Sequence, residues 1–236
     1  MNLQRLDKII SSTKNISRAI ARKEILRGKV TVEGQTIRDI SFKADAQAAN
    51  IEYCGQALCY KEHLYIIMNK PKGVLSASND KSRETVVDLV PENLRRANLF
   101  PVGRLDRDTT GLLIITDDGD FAHKVISPKK NIAKRYSVQL DGILKPEMVE
   151  EFKKGVVLAD GTVCKPALLD IKTDTQAEIT ISEGKYHQIK RMFGTVGLGV
   201  TELKRLSIGA LTLPENLPYG SCRELTKDEF NLIFDN

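Results

Sequence analysis

The sequence predicts an α+β protein in which a small N-terminal module of two helices and a hairpin precedes a larger domain with a mixed, mainly antiparallel sheet. The 236 residues are 28% charged and 41% hydrophobic, a composition typical of a globular chain long enough for two domains. Beyond residue 64 the predicted strands and helices do not alternate regularly, and neighbouring strands lie close enough in sequence to form hairpins. We therefore expect one domain over residues 1–60 and a second over residues 64–236.

The first module begins with two predicted helices. They cover residues 3–10 and 17–27, and the polar stretch SSTKN separates them. Ser17 is a suitable N-cap for the second helix, and Gly28 suits the position just after its end. The apolar side chains expected to cover a small core here are Ile16, Ile20 and Leu26.

A hairpin is predicted to follow these helices. The segment KVTVEGQTI alternates apolar and polar residues on both sides of a Glu33-Gly34 turn. Helices and hairpin together make a unit of roughly 60 residues, which is near the lower size limit for independent folding.

The positive charge of the chain is concentrated at its N-terminus. Lys and Arg number 36 against 31 Asp and Glu, so the net charge is only +5. Residues 1–30 contain eight basic and two acidic residues, a local charge of +6, which leaves −1 for the remainder. This asymmetry indicates a polyanion-binding module joined to a near-neutral domain.

The remainder of the chain predicts strands with a few helices between them. A buried strand, LYIIMNK, leads into the turn Pro71-Lys72-Gly73. Further predicted strands are VGRL, LLIIT, KRYSVQLD and QAEITIS, and predicted helices lie around residues 120–126, 146–154 and 184–195. The C-terminal LTKDEFNLIF predicts a closing helix with Leu225, Phe230 and Leu232 turned inward.

Several classes of protein are excluded by the same sequence. No apolar run approaches 18 residues, and the charged N-terminus lacks the apolar core of a secretory signal, so we expect a cytoplasmic protein without a membrane partner. The four cysteines form no CxxC pair, and the three histidines are scattered, so we expect neither a zinc site nor another metal site. The cysteines are Cys54, Cys59, Cys164 and Cys222.

The segment with the most chemical information is FPVGRLDRDTTGLLIITDDGD, residues 100–120. Asp106 and Asp108 flank Arg107 on a loop between two predicted strands, which is a usual position for catalytic groups. Aspartates in such a loop can also cap backbone N–H groups of a turn, and the spacing alone leaves both interpretations open.

A calcium loop is a further interpretation of this segment. Its positions 1, 3, 5, 6 and 12 would be Asp106, Asp108, Thr110, Gly111 and Asp117. Such a loop requires a helix on each side and normally a glutamate at its end. The preceding residues Phe-Pro-Val-Gly have a low helix propensity, and an aspartate replaces the glutamate, so we do not expect calcium binding.

The N-terminal module resembles the S4 RNA-binding domain. The stretch that carries this resemblance is SRAIARKEILRGKVTVEG, a helix followed by a basic loop and a strand. The resemblance implies binding to structured RNA through phosphate and shape contacts.

The larger domain resembles pseudouridine synthases of the RsuA type. The catalytic motif of that family is similar to GRLDRDTTGLLIITDDGD, and the similarity continues in SPKKNIAKRYSVQL, KGVVLADGTVCKPA, ISEGKYHQIKRMFGTVG and LKRLSIGALTL. With the S4-like start, it covers nearly the whole chain in the order of the family. The chain length and the segment TISEGKYHQIKRMF are most similar to those of the branch that modifies small-subunit (16S) ribosomal RNA.

The resemblance implies an isomerase that needs no cofactor. The reaction breaks the bond between N1 of uracil and C1′ of ribose and rejoins the base through C5, so it requires neither a redox partner nor a group donor. It implies Asp106 as nucleophile, Lys190 as the cation that keeps it ionised, and Tyr136 as a ring that stacks on the flipped-out base and moves a proton. Leu206, Ile208 and Leu213 are either the apolar wall of the pocket or ordinary core.

Ribosomal RNA is the predicted partner of a monomeric protein, either as naked RNA or within an assembly intermediate. A 23S ribosomal RNA uridine is the alternative target, and a non-catalytic RNA chaperone or ribosome-assembly factor is the alternative function. The candidate RNA-binding residues are Arg5, Arg18, Arg22, Lys29, Arg104, Arg107 and Arg191.

Overall fold

The computed structural model describes residues 3–46 and 48–235. The chain divides into two compact units. The first comprises residues 1–64 with 95–98, and the second comprises residues 65–94 with 99–236. Among the described residues, no helix has the length and apolar character needed to cross a membrane.

The described residues of the first unit form two helices and six short strands. Strands β2, β3, β5 and β6 form an antiparallel sheet in the order β3-β2-β5-β6, and β1 pairs separately with β4. The elements are β1 (Leu3–Arg5), α1 (Leu6–Lys14), α2 (Arg18–Leu26), β2 (Val30–Val32), β3 (Gln35–Thr36), β4 (Lys43–Asp45), β5 (Ile51–Tyr53) and β6 (Gln56–Ala57).

Both ends of α2 follow from local chemistry. The Ser17 hydroxyl accepts a hydrogen bond from the Ile20 N–H at 3.3 Å, which confirms its predicted role as N-cap. Gly28 follows the helix with φ of +71°, and Glu33 and Gly34 form the β2–β3 turn with φ of 50° and 76°. Two successive positive φ values are those of a type I′ hairpin turn, so the predicted hairpin is confirmed.

The first helix was predicted too early in the chain, because residues 3–5 form strand β1.

The core of this unit lies between the helices and the sheet, and Ala21 and Ile25 are the fully buried apolar residues of α2. Ile20 and Leu26 remain 49% and 55% exposed, so their predicted core role is wrong. Each is one position from the buried stripe, a rotation of about 100° around the helix. Ile16 packs against the core as a partly buried residue.

Over the residues that the structure describes, the second unit is built on one nine-stranded sheet. Its strand order is β11-β12-β10-β13-β9-β7-β15, with β14 paired to β13 and β8 paired to β9. The elements are β7 (Tyr65–Lys70), a 3₁₀ helix (Glu92–Leu94), β8 (Phe100–Pro101), β9 (Thr110–Thr116), α3 (Gly119–Ile126), β10 (Lys134–Leu140), α4 (Glu147–Lys154), β11 (Leu168–Ile171), β12 (Gln176–Ile181), α5 (Gln188–Thr195), β13 (Val200–Ile208), β14 (Leu211–Thr212), β15 (Cys222–Glu224) and α6 (Lys227–Leu232).

The sheet is mixed but mainly antiparallel, as predicted for an α+β fold. Within it, β9 and β13 run parallel and pair through only two positions, Thr110 with Lys204 and Gly111 with Arg205. A Cβ atom on Gly111 would lie 2.3 Å from the Arg205 carbonyl oxygen, and its φ is +100°, so glycine is required where the strands approach. The residues before β9 leave this pairing as a loop.

Three predictions for the second unit are wrong in detail. The segment VGRL is not a strand, because the β8 strand is confined to Phe100–Pro101. Helix α5 begins at Gln188 rather than 184, and the preceding residues form a loop. Leu232 in α6 is 38% exposed, whereas the next residue, Ile233, is fully buried. Leu225 and Phe230 lie in the core as predicted.

Candidate active site

The candidate site is centred on the loop that connects β8 to β9. We call residues 105–109 the catalytic loop. Its start is held by Ser76, whose hydroxyl donates to the Leu105 carbonyl at 2.9 Å and accepts from the Leu105 N–H at 3.1 Å. The Thr109 N–H closes the turn on the Asp106 carbonyl at 3.1 Å. The Asp106 side chain stays 29% exposed and is therefore accessible to a ligand.

A buried lysine supports the catalytic loop from beneath. Lys70, the last residue of β7, is fully buried, and its ammonium group donates to the carbonyls of Pro71, Arg107 and Thr109 at 3.0, 3.3 and 3.0 Å. Its three N–H groups match three acceptors. Burial lowers the pKa of Lys70 to about 8, although the carboxylates of Asp108 and Asp106 act in the opposite direction.

Two basic side chains approach the Asp106 carboxylate. Lys190 Nζ lies 3.4 Å from Oδ2, and His187 Nε2 lies 3.5 Å from Oδ1. Both come from the region where α5 begins. Each oxygen of the Asp106 carboxylate therefore has a basic side chain within 3.5 Å.

Lys190 also binds the second aspartate of the loop, and at shorter distances. Its Nζ donates to Asp108 Oδ1 at 2.6 Å and to Oδ2 at 2.8 Å. The hydrogen bond from Lys190 is the largest influence on Asp108 and lowers the pKa of that carboxyl. Lys190 is therefore shared between the two aspartates.

Glu183 organises the loop that leads into α5. It is 7% exposed, and its carboxylate accepts from the Lys165 N–H at 2.9 Å, from Gln188 Nε2 at 2.9 Å and from Lys185 Nζ at 2.5 Å. Burial raises the pKa of Glu183, but these hydrogen bonds outweigh it and the net shift is downward. The loop ends at His187 with φ of 47°, a left-handed position that turns its ring toward Asp106.

A cavity lies against Asp106, and we call it the catalytic cavity. Its volume is about 440 Å³, including the part open to solvent. Tyr136, 7% exposed on β10, forms part of its wall. Thr109 also lines this cavity, and its hydroxyl is buried without a hydrogen-bond partner in the described part of the chain. The apolar wall residues are Leu105, Ile181, Ile189 and Leu203.

The catalytic cavity therefore brings together a carboxylate, two basic side chains and a phenol ring around a space that is open to a ligand. It can place a carboxylate beside a bound ligand and exchange protons at short range. Ile208 and Leu213, which the sequence left as wall or core, belong to the core beneath α3 and α6.

Comparison with known proteins identifies the family. A model described as RNA pseudouridylate synthase matches residues 64–195, and an S4 domain model matches residues 4–48. The chain belongs to the RNA pseudouridylate synthase family. Its membership of the RsuA type, inferred from the motifs, is confirmed by relatives that match over nearly full length, as is the assignment to an isomerase.

Three relatives illustrate the match to this synthase. "Ribosomal small subunit pseudouridine synthase A" of Escherichia coli (strain K12) is 41% identical, over 95% of this chain and 97% of that protein. "Uncharacterized RNA pseudouridine synthase YtzG" of Bacillus subtilis (strain 168) is 40% identical, over 97% of this chain and 98% of that protein. A solved structure, "Crystal structure of pseudouridylate synthase", is 34% identical with a TM-score of 0.69, over 97% of this chain and 99% of that chain.

The candidate RNA-binding arginines around the catalytic cavity of the synthase differ in their surroundings. Arg104 is exposed and lines the cavity. Arg107 is exposed, and its Nε donates to the Gly73 carbonyl at 3.0 Å. Arg191 lies 2.5 Å from Asp160 and holds the loop around that residue to α5. Arg104 thus lies at the cavity itself and Arg107 is exposed next to Asp106 in the chain, whereas Arg191 already has a carboxylate partner.

The candidate residues of the S4 unit are arranged by buried carboxylates. Arg5, Arg18 and Arg22 all bind Asp7, at 3.2, 2.8 and 2.8 Å, while Asp7 itself is fully buried. The three arginine side chains remain 39–48% exposed. Lys29 binds Glu24 at 2.6 Å and is 46% exposed.

Three contributors to the site were not found by sequence reasoning. His187 looked like one of three scattered histidines, and Lys70 like the polar end of a strand. Glu183 has no charge pattern around it that indicates burial. Glu183 and His187 lie in ISEGKYHQIKRMFGTVG, a segment that resembles a family motif, and that position was a signal for both. Lys70 lies outside the segments that carry the resemblance, so the sequence held no such signal for it.

Metal binding has no support in the described residues. No group of three or more His, Cys, Asp or Glu within residues 3–46 and 48–235 could hold an ion. The calcium-loop interpretation also lacks its helices, because Thr110 already begins strand β9 and Phe100–Pro101 is strand β8.

Proposed function

We propose that this synthase converts a specific uridine of small-subunit (16S) ribosomal RNA to pseudouridine, with Asp106 as nucleophile on a flipped-out base. The observation that carries the proposal is the Asp106 carboxylate in the catalytic cavity, with Lys190 Nζ 3.4 Å away and Tyr136 in the wall. The names of the relatives that match over nearly the full length favour the small-subunit target.

The proposed reaction is balanced within the RNA itself. The N1–C1′ bond breaks, the uracil turns in the cavity, and a C5–C1′ bond forms. The proton displaced from C5 leaves and N1 gains one, so the product is an isomer of the substrate. Asp106 interacts with the reacting nucleotide, and Lys190 offsets its negative charge.

Tyr136 and Thr109 are proposed to hold the freed base. The Tyr136 ring offers a stacking surface, and the buried Thr109 hydroxyl offers a hydrogen bond that the described residues leave unused. Extrusion of a base from folded RNA costs a few kcal/mol, and Arg104 and Arg107 are placed to stabilise that state through phosphate contacts.

We further propose that residues 1–60 supply affinity for ribosomal RNA and residues 64–236 supply catalysis. The three arginines around Asp7 form the proposed phosphate-binding face, and Lys29, which is paired with Glu24, is a further proposed contact. We propose that the protein acts as a monomer in the cytoplasm, on naked RNA or on an assembly intermediate.

The test is the variant Asp106→Asn, which keeps the shape of the side chain but removes its charge and nucleophilicity. We expect pseudouridine formation on a small-subunit ribosomal RNA transcript to fall below detection while RNA affinity stays within about twofold. The readouts are pseudouridine mapping by mass spectrometry and filter binding.

Pseudouridine formed by this variant would disprove the nucleophile assignment. Mapping in cells with and without the gene gives the target. A modified 23S uridine would replace the 16S assignment, and the absence of any changed uridine would favour an RNA chaperone or assembly factor.

A further inference from the structure

A second cavity lies beside the catalytic loop, and we call it the flanking cavity. Its volume is about 700 Å³, including the part open to solvent. Its wall consists of Lys72, Asp108, Thr110, Ser137, Val138, Gln139, Gln176, Glu202, Leu203, Lys204 and Tyr219.

The flanking cavity adjoins the catalytic cavity but is a separate space. Leu203 contributes to both walls, and Lys190 of the catalytic cavity binds Asp108 of the flanking cavity. Ser137 and Lys204, which both line the flanking cavity, are paired across β10 and β13. Asp106 and Asp108 are two residues apart, so their Cα atoms lie at most about 7 Å from each other.

An exposed aromatic ring and two lysines distinguish this cavity. Tyr219 is 59% exposed, and Lys204 Nζ lies 5.2 Å from the centre of the Tyr219 ring. Lys72 is exposed on the same wall. The charged wall residues are Lys72 and Lys204 and the two carboxylates Asp108 and Glu202. Asp108 is already bound by Lys190, so the two lysines of the wall are the cations available to a phosphate.

The ring of Tyr219 is presented on a fixed turn. The Ser221 N–H donates to the Pro218 carbonyl at 3.1 Å, and Gly220 has φ of +80°, as in a type II turn. This turn is tied to Asn69, whose N–H donates to the Ser221 carbonyl at 3.1 Å and whose carbonyl accepts from the Gly220 N–H at 2.8 Å.

The same strand therefore positions both cavities. Asn69 holds the Tyr219 turn, and the next residue, Lys70, holds the catalytic loop. Because the two anchors are consecutive residues of β7, the distance between Tyr219 and Asp106 is set by the sheet rather than by a flexible connection.

We propose that the flanking cavity binds a nucleotide next to the target uridine in the same RNA strand. Its base stacks on Tyr219, and its phosphate contacts Lys204 and Lys72. Single-stranded RNA is commonly bound through base stacking on an exposed ring beside cations. This inference rests on the proposed function, because it assigns the neighbour of the nucleotide that Asp106 attacks.

The test compares Tyr219→Ala with Tyr219→Phe in the full-length protein on a small-subunit ribosomal RNA transcript. Loss of one base–aromatic stack corresponds to a roughly 5- to 150-fold weakening, so we expect Tyr219→Ala to raise KM by that factor with kcat nearly unchanged. The phenylalanine variant keeps the ring and should stay near wild type. The dissociation constant is measured in parallel with the Asp106→Asn substitution added, so that no turnover occurs.

Lys204→Gln is the second variant and keeps the test decisive if Tyr219→Ala does not fold. We expect it to reduce the slope of log affinity against log salt by about 1. Lys153→Gln, on the exposed surface of α4, is the control and should leave KM unchanged.

Unchanged KM and RNA affinity in Tyr219→Ala, or a loss confined to kcat, would overturn the flanking-nucleotide assignment. If the wild-type protein forms no pseudouridine on ribosomal RNA but Tyr219→Ala still weakens RNA binding, the proposed reaction fails and the nucleotide site stands. If the wild type forms pseudouridine and the Tyr219 and Lys204 variants match it, the reaction stands and the site fails.

Discussion

Lys190 contacts two carboxylates, and it lies closer to Asp108 than to Asp106. Its Nζ lies within 2.8 Å of both Asp108 oxygens but 3.4 Å from Asp106. Asp108 is 57% exposed and Asp106 is 29% exposed, so a bound nucleotide would desolvate Asp106 further. An attraction between charges grows as water leaves, and substrate binding should therefore strengthen the contact between Lys190 and Asp106.

The residue-scale prediction concerns the variant Lys190→Met. Because removal of one preorganised electrostatic partner at an active site commonly costs 10²–10³-fold in rate, we expect single-turnover pseudouridine formation to fall by about that factor. The measurement is the rate at saturating enzyme, where weaker RNA binding does not contribute.

Asp108→Asn is the matched control, since it leaves both Lys190 and Asp106 in place. Its rate should remain within about tenfold of wild type, well above that of Lys190→Met. Equal losses in the two variants would contradict the view that Lys190 acts through Asp106.

At the scale of elements, α1 and α2 are joined by one buried carboxylate. Asp7 lies in the first turn of α1 and is fully buried, and it binds Arg18 and Arg22 of α2 together with Arg5. Burial raises the pKa of Asp7, but the hydrogen bonds from the arginines outweigh it and lower the pKa to about 2. The helix pair and the basic face therefore depend on the same charge.

The element-scale prediction is that Asp7→Asn loosens α1 and α2. Charge-assisted hydrogen bonds contribute roughly 1.5–3 kcal/mol, so the amides of both helices should lose about 2 kcal/mol of protection against hydrogen exchange near neutral pH. Asp170→Asn, at an exposed pair with Lys172, is the control and should leave that protection unchanged.

The same carboxylate predicts a dependence on pH. The pKa of Asp7 lies below its usual 3.8, so its stabilising contribution is complete above about pH 4 and is lost as the pH falls through about 2. The difference in protection between wild type and Asp7→Asn should therefore shrink between pH 4 and pH 2. A difference that stays constant over this range would show that Asp7 is not the titrating group.

At the scale of the whole molecule, the basic excess lies in the unit that matches the S4 domain, and the catalytic cavity lies in the other. Residues 1–30 carry +6 while the remaining residues sum to −1. Long-range attraction to RNA should therefore come mainly from the first unit, and contacts near Asp106 should depend on a few placed cations.

Exposed lysines of the first unit allow its charge to be lowered without breaking the ion pairs of Asp7. Lys8 and Lys23 lie on the surface of α1 and α2, and replacing both by Gln should reduce the slope of log RNA affinity against log salt by roughly 1 to 2. Lys153 and Lys154, in the last turn of α4, are replaced in the control variant. Equal slopes for the two double variants would remove the N-terminal unit as the main docking surface.

Sequence patterns predicted most elements because they depend on local chemistry. The Ser17 cap, the Glu33-Gly34 turn and the strand LYIIMNK follow from neighbouring residues alone. Two predictions were wrong for reasons that lie outside the local pattern. Whether Ile20 is buried depends on a shift of one position along the helix, and whether VGRL is a strand depends on a partner strand. Periodicity does not specify which partner an apolar residue meets.

The sequence by itself determined the family, the α+β class, the charge asymmetry and the candidates Asp106, Tyr136 and Lys190, because long motifs and local periodicity are properties of the chain. Only the tertiary structure decided that Lys190 is shared with Asp108, that Lys70 supports the loop from beneath, and that Tyr219 lies beside Lys204. These contacts join residues more than ten positions apart in the chain. They depend on the order of the strands in the sheet and on which groups are buried, because a buried charge loses its water and needs hydrogen bonds in exchange. The local pattern of residues predicts neither the strand order nor the burial.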